Sequence, residues 1–175
     1  MGFRLRREPL DGNVEVLLSK RSRDRIYEKI LQLTPRTWGQ KLSRCIRGLN
    51  AYLTGWVGFF GICTASEMRT LQAVDAHIRR RLRALLLRQW KRRRTIVKRL
   101  IRLGVRAKTA WTNVYRGYNS RWALSHNPVV DRGLRNAYFA ERGLISVWET
   151  WSARHQSLAI APLQLTLQWD NCGRP

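Results

Sequence analysis

Three observations predict a mainly α fold, a helical bundle followed by a second helical region, with a short N-terminal β-hairpin. Apolar residues recur at three- and four-residue steps over most of the chain after Ser22. Before that point the pattern alternates, and Asp11-Gly12-Asn13 stands between two extended runs, FRLRREPL and VEVLL. Hydrophobic residues make up 44% of the 175, enough to bury a core and too many for wholesale disorder. A chain of this length holds about one domain or two small ones.

Asp-Gly between extended runs favours a tight hairpin, because glycine accepts positive φ at no steric cost. Two strands alone are marginal, so these are expected to pair with something else. The first helix starts with Ser22 as N-cap and Asp24 in the first turn, where the helix dipole favours it; Ile26, Ile30 and Leu33 share one face. Thr34-Pro35 ends it. Glutamine 40 to Phe60 reads as a second helix with Leu42, Cys45, Ile46, Leu49, Leu53, Trp56 and Phe60 on its apolar face. Its glycines point to close packing against a neighbour.

Ser66 can cap a third helix from Glu67 to about Arg93, with Ile78, Leu82, Leu85 and Leu86 in the core and Arg79, Arg80, Arg83 and Arg88 on a broad basic surface. Ile96, Val97, Leu100, Ile101 and Leu103 form the stripe of a further helix, stopped by Gly104 as a left-handed C-cap. Two more helices are expected, Val129 to Ala140 and Leu144 to His155. The resulting organisation is a hairpin over residues 1–20, a helical bundle over 21–106, a second helical region over 107–155 and a loosely ordered tail over 156–175.

Charge supplies the functional signal. The net charge is +23, from 34 Lys and Arg against 11 Asp and Glu. Between Asp75 and Asp131 there is no acidic residue and there are 16 basic ones, densest in RRRLRALLLRQWKRRRTIVKRLIRLGVRAK from Arg79. Self-repulsion of this size opposes the compact state, and the partner that relieves it most commonly is a nucleic acid backbone. A solvated helix face is the bland alternative, but no acid within the run balances it. Backbone contacts are therefore assigned to Arg79, Arg80, Arg83, Arg88, Lys91, Arg92, Arg93, Arg94, Lys98, Arg99 and Arg102. Further along, Trp111, Tyr115, Tyr118 and Trp122 alternate with Arg116 and Arg121, an arrangement that suits looped RNA, with bases stacked and phosphates held. The same rings could equally pack helices together.

The remaining chemistry is sparse. Cys45, Cys63 and Cys172 are odd in number and widely spaced, which argues against a disulfide framework or zinc site and for a reducing cytoplasm. The N-terminus lacks the apolar stretch of a signal peptide, and Gly48 to Ser66 is too mixed for a membrane span. A basic amphipathic helix lying on an anionic membrane is a minor reading. No motif links Ser, His and Asp into a hydrolytic triad. Asp24 and Glu28 share a helix face and are expected to pair with Arg25 or Lys29. No cofactor is expected.

LNAYLTGWVGFF at Leu49 and DAHIRRRLRALLLRQWKRRRT at Asp75 resemble the maturase-specific C-terminal region of group II intron reverse transcriptases. LIRLGV at Leu100, GYNSRWALSHNPVV at Gly117 and GLRNAYFAERGLIS at Gly133 follow in that family's order and spacing, so the resemblance covers roughly residues 20–155. Thr54 stands where the family leads one to expect a basic residue. The first helix resembles the start of the family's thumb, and GFRLRR the strand that closes its palm, so the hairpin would be a palm remnant lacking its sheet, as in a split or truncated reading frame. The resemblance implies a thumb-like bundle followed by the maturase region, binding structured group II intron RNA and assisting its folding and splicing. With a palm supplied in trans it would also grip a template–primer duplex, which makes that duplex and a separate palm chain candidate partners. Polymerase chemistry needs paired aspartates holding two metal ions; this sequence has no adjacent acidic pair, no Tyr-x-Asp-Asp and no HNH-like His/Cys cluster, so an enzyme is not expected. An inactive mobile-element remnant and a charge-driven DNA-binding protein are the alternatives.

Overall fold

A serine one turn earlier than expected opens the first helix. Ser19 is the N-cap of α1 (Lys20–Leu33), its hydroxyl accepting from the Ser22 amide. Ser22 is buried within the first turn and donates to the Gly2 carbonyl at 2.7 Å, so it ties the chain start to α1 and does not cap it. Asp24 consequently lies beyond the first turn. Asp24 and Glu28 are exposed and form no ion pair with Arg25 or Lys29 among the described residues; Lys29 donates to Gln32 instead. These positions come from a computed structural model that describes residues 2–7, 12–35, 39, 41–116 and 120–160.

Nine α-helices and one antiparallel hairpin make up the described chain, the mainly α architecture that the sequence predicts. The strands β1 (Phe3–Arg7) and β2 (Val14–Leu18) pair from Phe3↔Leu18 to Arg7↔Val14. The tight turn expected at Asp11-Gly12 lies partly outside the described residues, which resume at Gly12 with φ +66°. The hairpin gains its support from helices. Leu17 and Leu18 are buried, the Leu18 amide donates to the buried Glu67 carboxylate at 3.1 Å, and Thr64 donates through its amide to the Val16 carbonyl at 3.0 Å.

Helix α2 (Leu42–Phe60) buries Cys45, Ile46, Leu49, Leu53, Trp56 and Val57, which is the predicted face. Its glycines do not serve close packing: a Cβ on Gly55 or Gly58 would meet nothing within 4 Å, and one on Gly48 would make ordinary contact with Leu33. A 3₁₀ turn (Ala65–Glu67) leads into α3 (Met68–Gln89), whose N-cap is Glu67 and not Ser66. Ile78, Leu82, Leu85 and Leu86 are buried as predicted.

Helix α3 ends at Gln89, short of the expected Arg93, because the chain turns sharply. Lys91 adopts φ 51°, a left-handed conformation that costs a non-glycine residue about 1 kcal/mol. Arg121 holds that turn by donating to the Lys91 carbonyl at 2.6 Å. Helix α4 (Arg93–Arg102) follows, burying Ile96, Val97 and Leu100, and Gly104 at φ +88° ends it as predicted.

Short helices complete the body: α5 (Ala107–Tyr115), α6 (Arg121–Leu124), α7 (Pro128–Gly133) and α8 (Asn136–Ala140). The single helix expected over Val129–Ala140 is thus two. The break follows Gly133, whose backbone presses so closely on α4 that a Cβ there would stand 2.7 Å from a Leu100 methyl. Helix α9 (Val147–Ile160) starts later and runs further than expected, so residues 156–160 are helical and not part of a loose tail. Residues 161–175, with Cys172, lie outside the described residues. One continuous apolar cluster runs from Leu18 to Trp151.

Asp75 fixes where α9 docks. It lies on the core face of α3, only 4% exposed, and accepts from the Ser146 hydroxyl (2.6 Å) and from the amides of Val147 (2.9 Å) and Trp148 (3.0 Å). A carboxylate at a helix N-terminus satisfies amides that have no intrahelical partner and complements the dipole. Further along α9, the Trp151 indole donates to the Cys63 carbonyl and Arg154 to that of Val57. Replacing Asp75 with Ala leaves three donors without their acceptor and should cost about 2–4 kcal/mol in urea unfolding. An unchanged midpoint would show that α9 is held by packing alone.

Candidate nucleic-acid interface

The predicted contact residues divide into two sets once their surroundings are known. Arg80, Arg83, Arg121 and Trp122 turn inward. The Arg83 guanidinium is ion-paired with Asp131 at 2.7 Å and donates to the Leu134 carbonyl, fastening α3 to α7 and the residue that ends it. Arg80 lies over the Trp122 ring at 3.8 Å, so that ring is covered by a cation of its own chain. Arg121 is committed to the Lys91 turn. The broad basic surface expected on α3 is therefore reduced, because its helical face packs against α6 and α7.

Arg81 is the most buried arginine of α3. It donates to the Thr34 hydroxyl (3.0 Å) and carbonyl (2.6 Å), holding the C-terminal end of α1. The signal was present in the register, since position 81 is three residues beyond Ile78 and adjoins Leu82 on the core face.

The outward set is coherent. Arg88, Lys91, Arg92, Arg94, Lys98, Arg99, Arg102 and Arg116 are exposed, and Arg79 and Arg93 are partly so. Most lie on α4 or in the turn before it, where buried Ile96, Val97 and Leu100 force the charged positions outward. Arg92, Arg93 and Arg94 open α4, whose first turn contains no acid. Positive charge at a helix N-terminus opposes the dipole, so this end is electrostatically suited to an anion.

Helix α5 packs along α4 and carries the aromatic part. Trp111 and Tyr115, one turn apart, are exposed and stack on each other at 5.4 Å and 23°. The Arg93 guanidinium lies 5.8 Å from the Tyr115 ring, joining the two features. Tyr118 lies outside the described residues. Most other described tryptophans serve the core: Trp56, Trp90 and Trp151 are buried.

A cavity of about 340 Å³ opens beside the inward arginines, lined among others by Tyr27, His77, Arg80, Arg83, His126 and Asp131. His77 meets the Tyr27 ring edge-on at 5.0 Å, and its Nε2 is buried without a partner among the described residues. Burial first, and the charges of Arg81 and Arg80 second, hold its imidazole below the ordinary 6.5. Elsewhere, burial and the Glu67 carboxylate push the Cys63 thiol up to about 11. No described helix is long and apolar enough to cross a membrane.

Because the folded-state value for His77 is depressed, the unfolded chain binds the proton more readily. The stability tied to neutral His77 is complete above about 6.5 and falls as the pH drops toward the folded value. Melting temperature should fall between about pH 7.5 and about pH 5.5, and His77→Gln should flatten part of that fall. An identical pH profile in the variant would exclude this imidazole as the responsive group.

Residues 23–102 match the family model described as "Group II intron, maturase-specific domain", which spans α1 from its fourth residue to the end of α4. No curated protein matches the chain.

Proposed function

We propose that this chain, which carries a maturase-specific region of a group II intron protein over residues 23–102, serves intron splicing by binding structured group II intron RNA. The region indicates a maturase-related function, and a maturase-specific domain is not a catalytic polymerase domain. The carrying observation is the outward row from Arg88 to Arg102 beside the stacked Trp111–Tyr115 pair.

Each half of that surface does a different job. Exposed guanidinium and ammonium groups on α4 and its leading turn contact phosphates, which supplies affinity without reading sequence. The side-by-side rings on α5 offer a face to an unstacked loop base, while Arg116 holds the neighbouring phosphate. A-form RNA presents its bases poorly in the deep groove, so shape and accessible loops carry selectivity. Arg99, 5.3 Å from the Trp90 ring, is oriented by that contact.

In the same reading α1 to α3 act as a thumb against a template–primer duplex when a palm is supplied by another chain. Leu5 is 67% exposed on β1 and Val14 59% exposed on β2, apolar surface that such a palm would cover. The anchoring of β2 to Glu67 and Thr64 supports a working module over an inactive remnant, since the hairpin is held by its own chain.

Replacing Arg92, Arg94 and Lys98 together with Ala should weaken intron RNA binding and flatten its salt dependence. Each lost phosphate contact lowers the slope by about 0.7–0.9. Melting temperature should stay near that of the parent protein because all three side chains are exposed. By contrast, Arg83→Ala should lower the melting temperature. An unchanged salt slope in the triple variant would remove α4 from the interface.

A further inference from the structure

We propose that a second cavity, between α1 and the C-terminal half of α2, binds a single unstacked nucleotide of the RNA. This inference rests on the RNA-binding reading but uses different elements, α1 and α2 in place of α4 and α5. The cavity measures about 290 Å³, near the lower end of small-ligand sites at roughly 300–1,000 Å³. Tyr52, Trp56, Phe59 and Phe60 supply its aromatic wall, and Arg21 and Arg25 its charged side.

The decisive group is Trp56. It is only 7% exposed, and its indole N–H is buried with no acceptor among the described residues. A buried donor without a partner costs about 1–3 kcal/mol and calls for an explanation. Trp56 lines the cavity, and its indole N–H, closed to solvent as the rings stand, pairs with a ligand's acceptor once the rings part to admit it. The neighbouring rings limit what that ligand is. Trp56 and Phe60 lie at 4.8 Å and 31°, and Phe59 is 63% exposed at the rim, stacked on Phe3 at 5.7 Å. A planar ring with acceptors on its edge satisfies the aromatic wall and the indole together, as every nucleobase does.

Charge selects the other half of the ligand. Arg21 and Arg25 are exposed, one helical turn apart, and no carboxylate lines the cavity. They suit the phosphate attached to that base, while Ser22 between them is already engaged with Gly2. The site thus takes a nucleotide as a unit: base against the rings, base acceptor on the Trp56 indole, phosphate on the two arginines.

The test uses full-length protein labelled with ¹⁵N-tryptophan, in which the Trp56 indole resonance is identified by its loss in Trp56→Phe. Titration with each of the four ribonucleoside 5′-monophosphates should shift that resonance, and Arg21→Ala with Arg25→Ala should weaken the response about tenfold. Inorganic phosphate alone, and an acidic peptide containing phenylalanine, should leave it in place. No shift with any nucleotide overturns the proposal. An equal shift with phosphate would reduce the site to a general anion contact, and an equal shift with the peptide would make it a protein-docking pocket; either result also overturns it. Intron RNA binding measured on the same sample separates the two readings. If RNA binds while the indole and the Trp56→Phe affinity are unaffected, only the pocket fails. If nucleotides shift the indole but intron RNA is not preferred over other RNA, the pocket stands and the splicing role fails.

Discussion

The architecture depends on two buried carboxylates, Asp75 on α3 and Glu67 at its N-cap. Asp75 receives the start of α9, and Glu67 receives the amide of the last residue of β2. One helix therefore holds both ends of the described chain, the hairpin near its start and α9 near its end. Burying a carboxylate is costly unless donors replace its water; two amides and a hydroxyl do so for Asp75, whereas Glu67 accepts one amide on Oε1 and its Oε2 has no partner among the described residues. In a chain with only 11 acidic residues, using two internally also leaves the exterior more one-sidedly basic.

Arginine performs two kinds of work, and burial separates them. Arg81 and Arg83 meet carbonyls and a carboxylate between helices, where the planar five-donor fork bridges several acceptors at once. Arg80 stacks on Trp122, and Arg121 stabilises the strained Lys91 turn. The turn itself sets the direction of α4 relative to α3, so a half-exposed arginine on α6 decides where the others point. Repulsion among Arg92, Arg94, Lys98, Arg99 and Arg102 is tolerated because the apolar side of α4 is fully buried against the body. Like charges crowded on one face repel one another, and a polyanion would relieve that repulsion.

How much was readable in advance varies with the range of the interaction responsible. The buried stripes of α2 and α4 and the stop at Gly104 follow from periodicity and one glycine, both local signals. The start of α1 is not a local signal: two serines stand three residues apart, and only the contact between Ser22 and Gly2 distinguishes them. The ends of α3 and α7 depend on distant partners, Arg121 on the Lys91 carbonyl and Leu100 against Gly133. For the site, composition located the basic row on α4, but could not tell Arg83 from Arg88: both are arginines on one helix, and only the position of Asp131 draws one inward. Trp122 was read as a stacking candidate for the same reason, and Arg80 already covers it. Asp75 and Arg81 carry charge, yet their register with Ile78 and Leu82 places both on the core face.

The most direct test compares affinity for a folded group II intron RNA, an unrelated structured RNA and duplex DNA of similar length over a rising salt series. A surface that combines phosphate contacts with loop and shape recognition should retain preference for the intron RNA after salt has abolished binding to the other two. Equal, steeply salt-dependent binding to all three would contradict that account and leave only a basic protein held by charge.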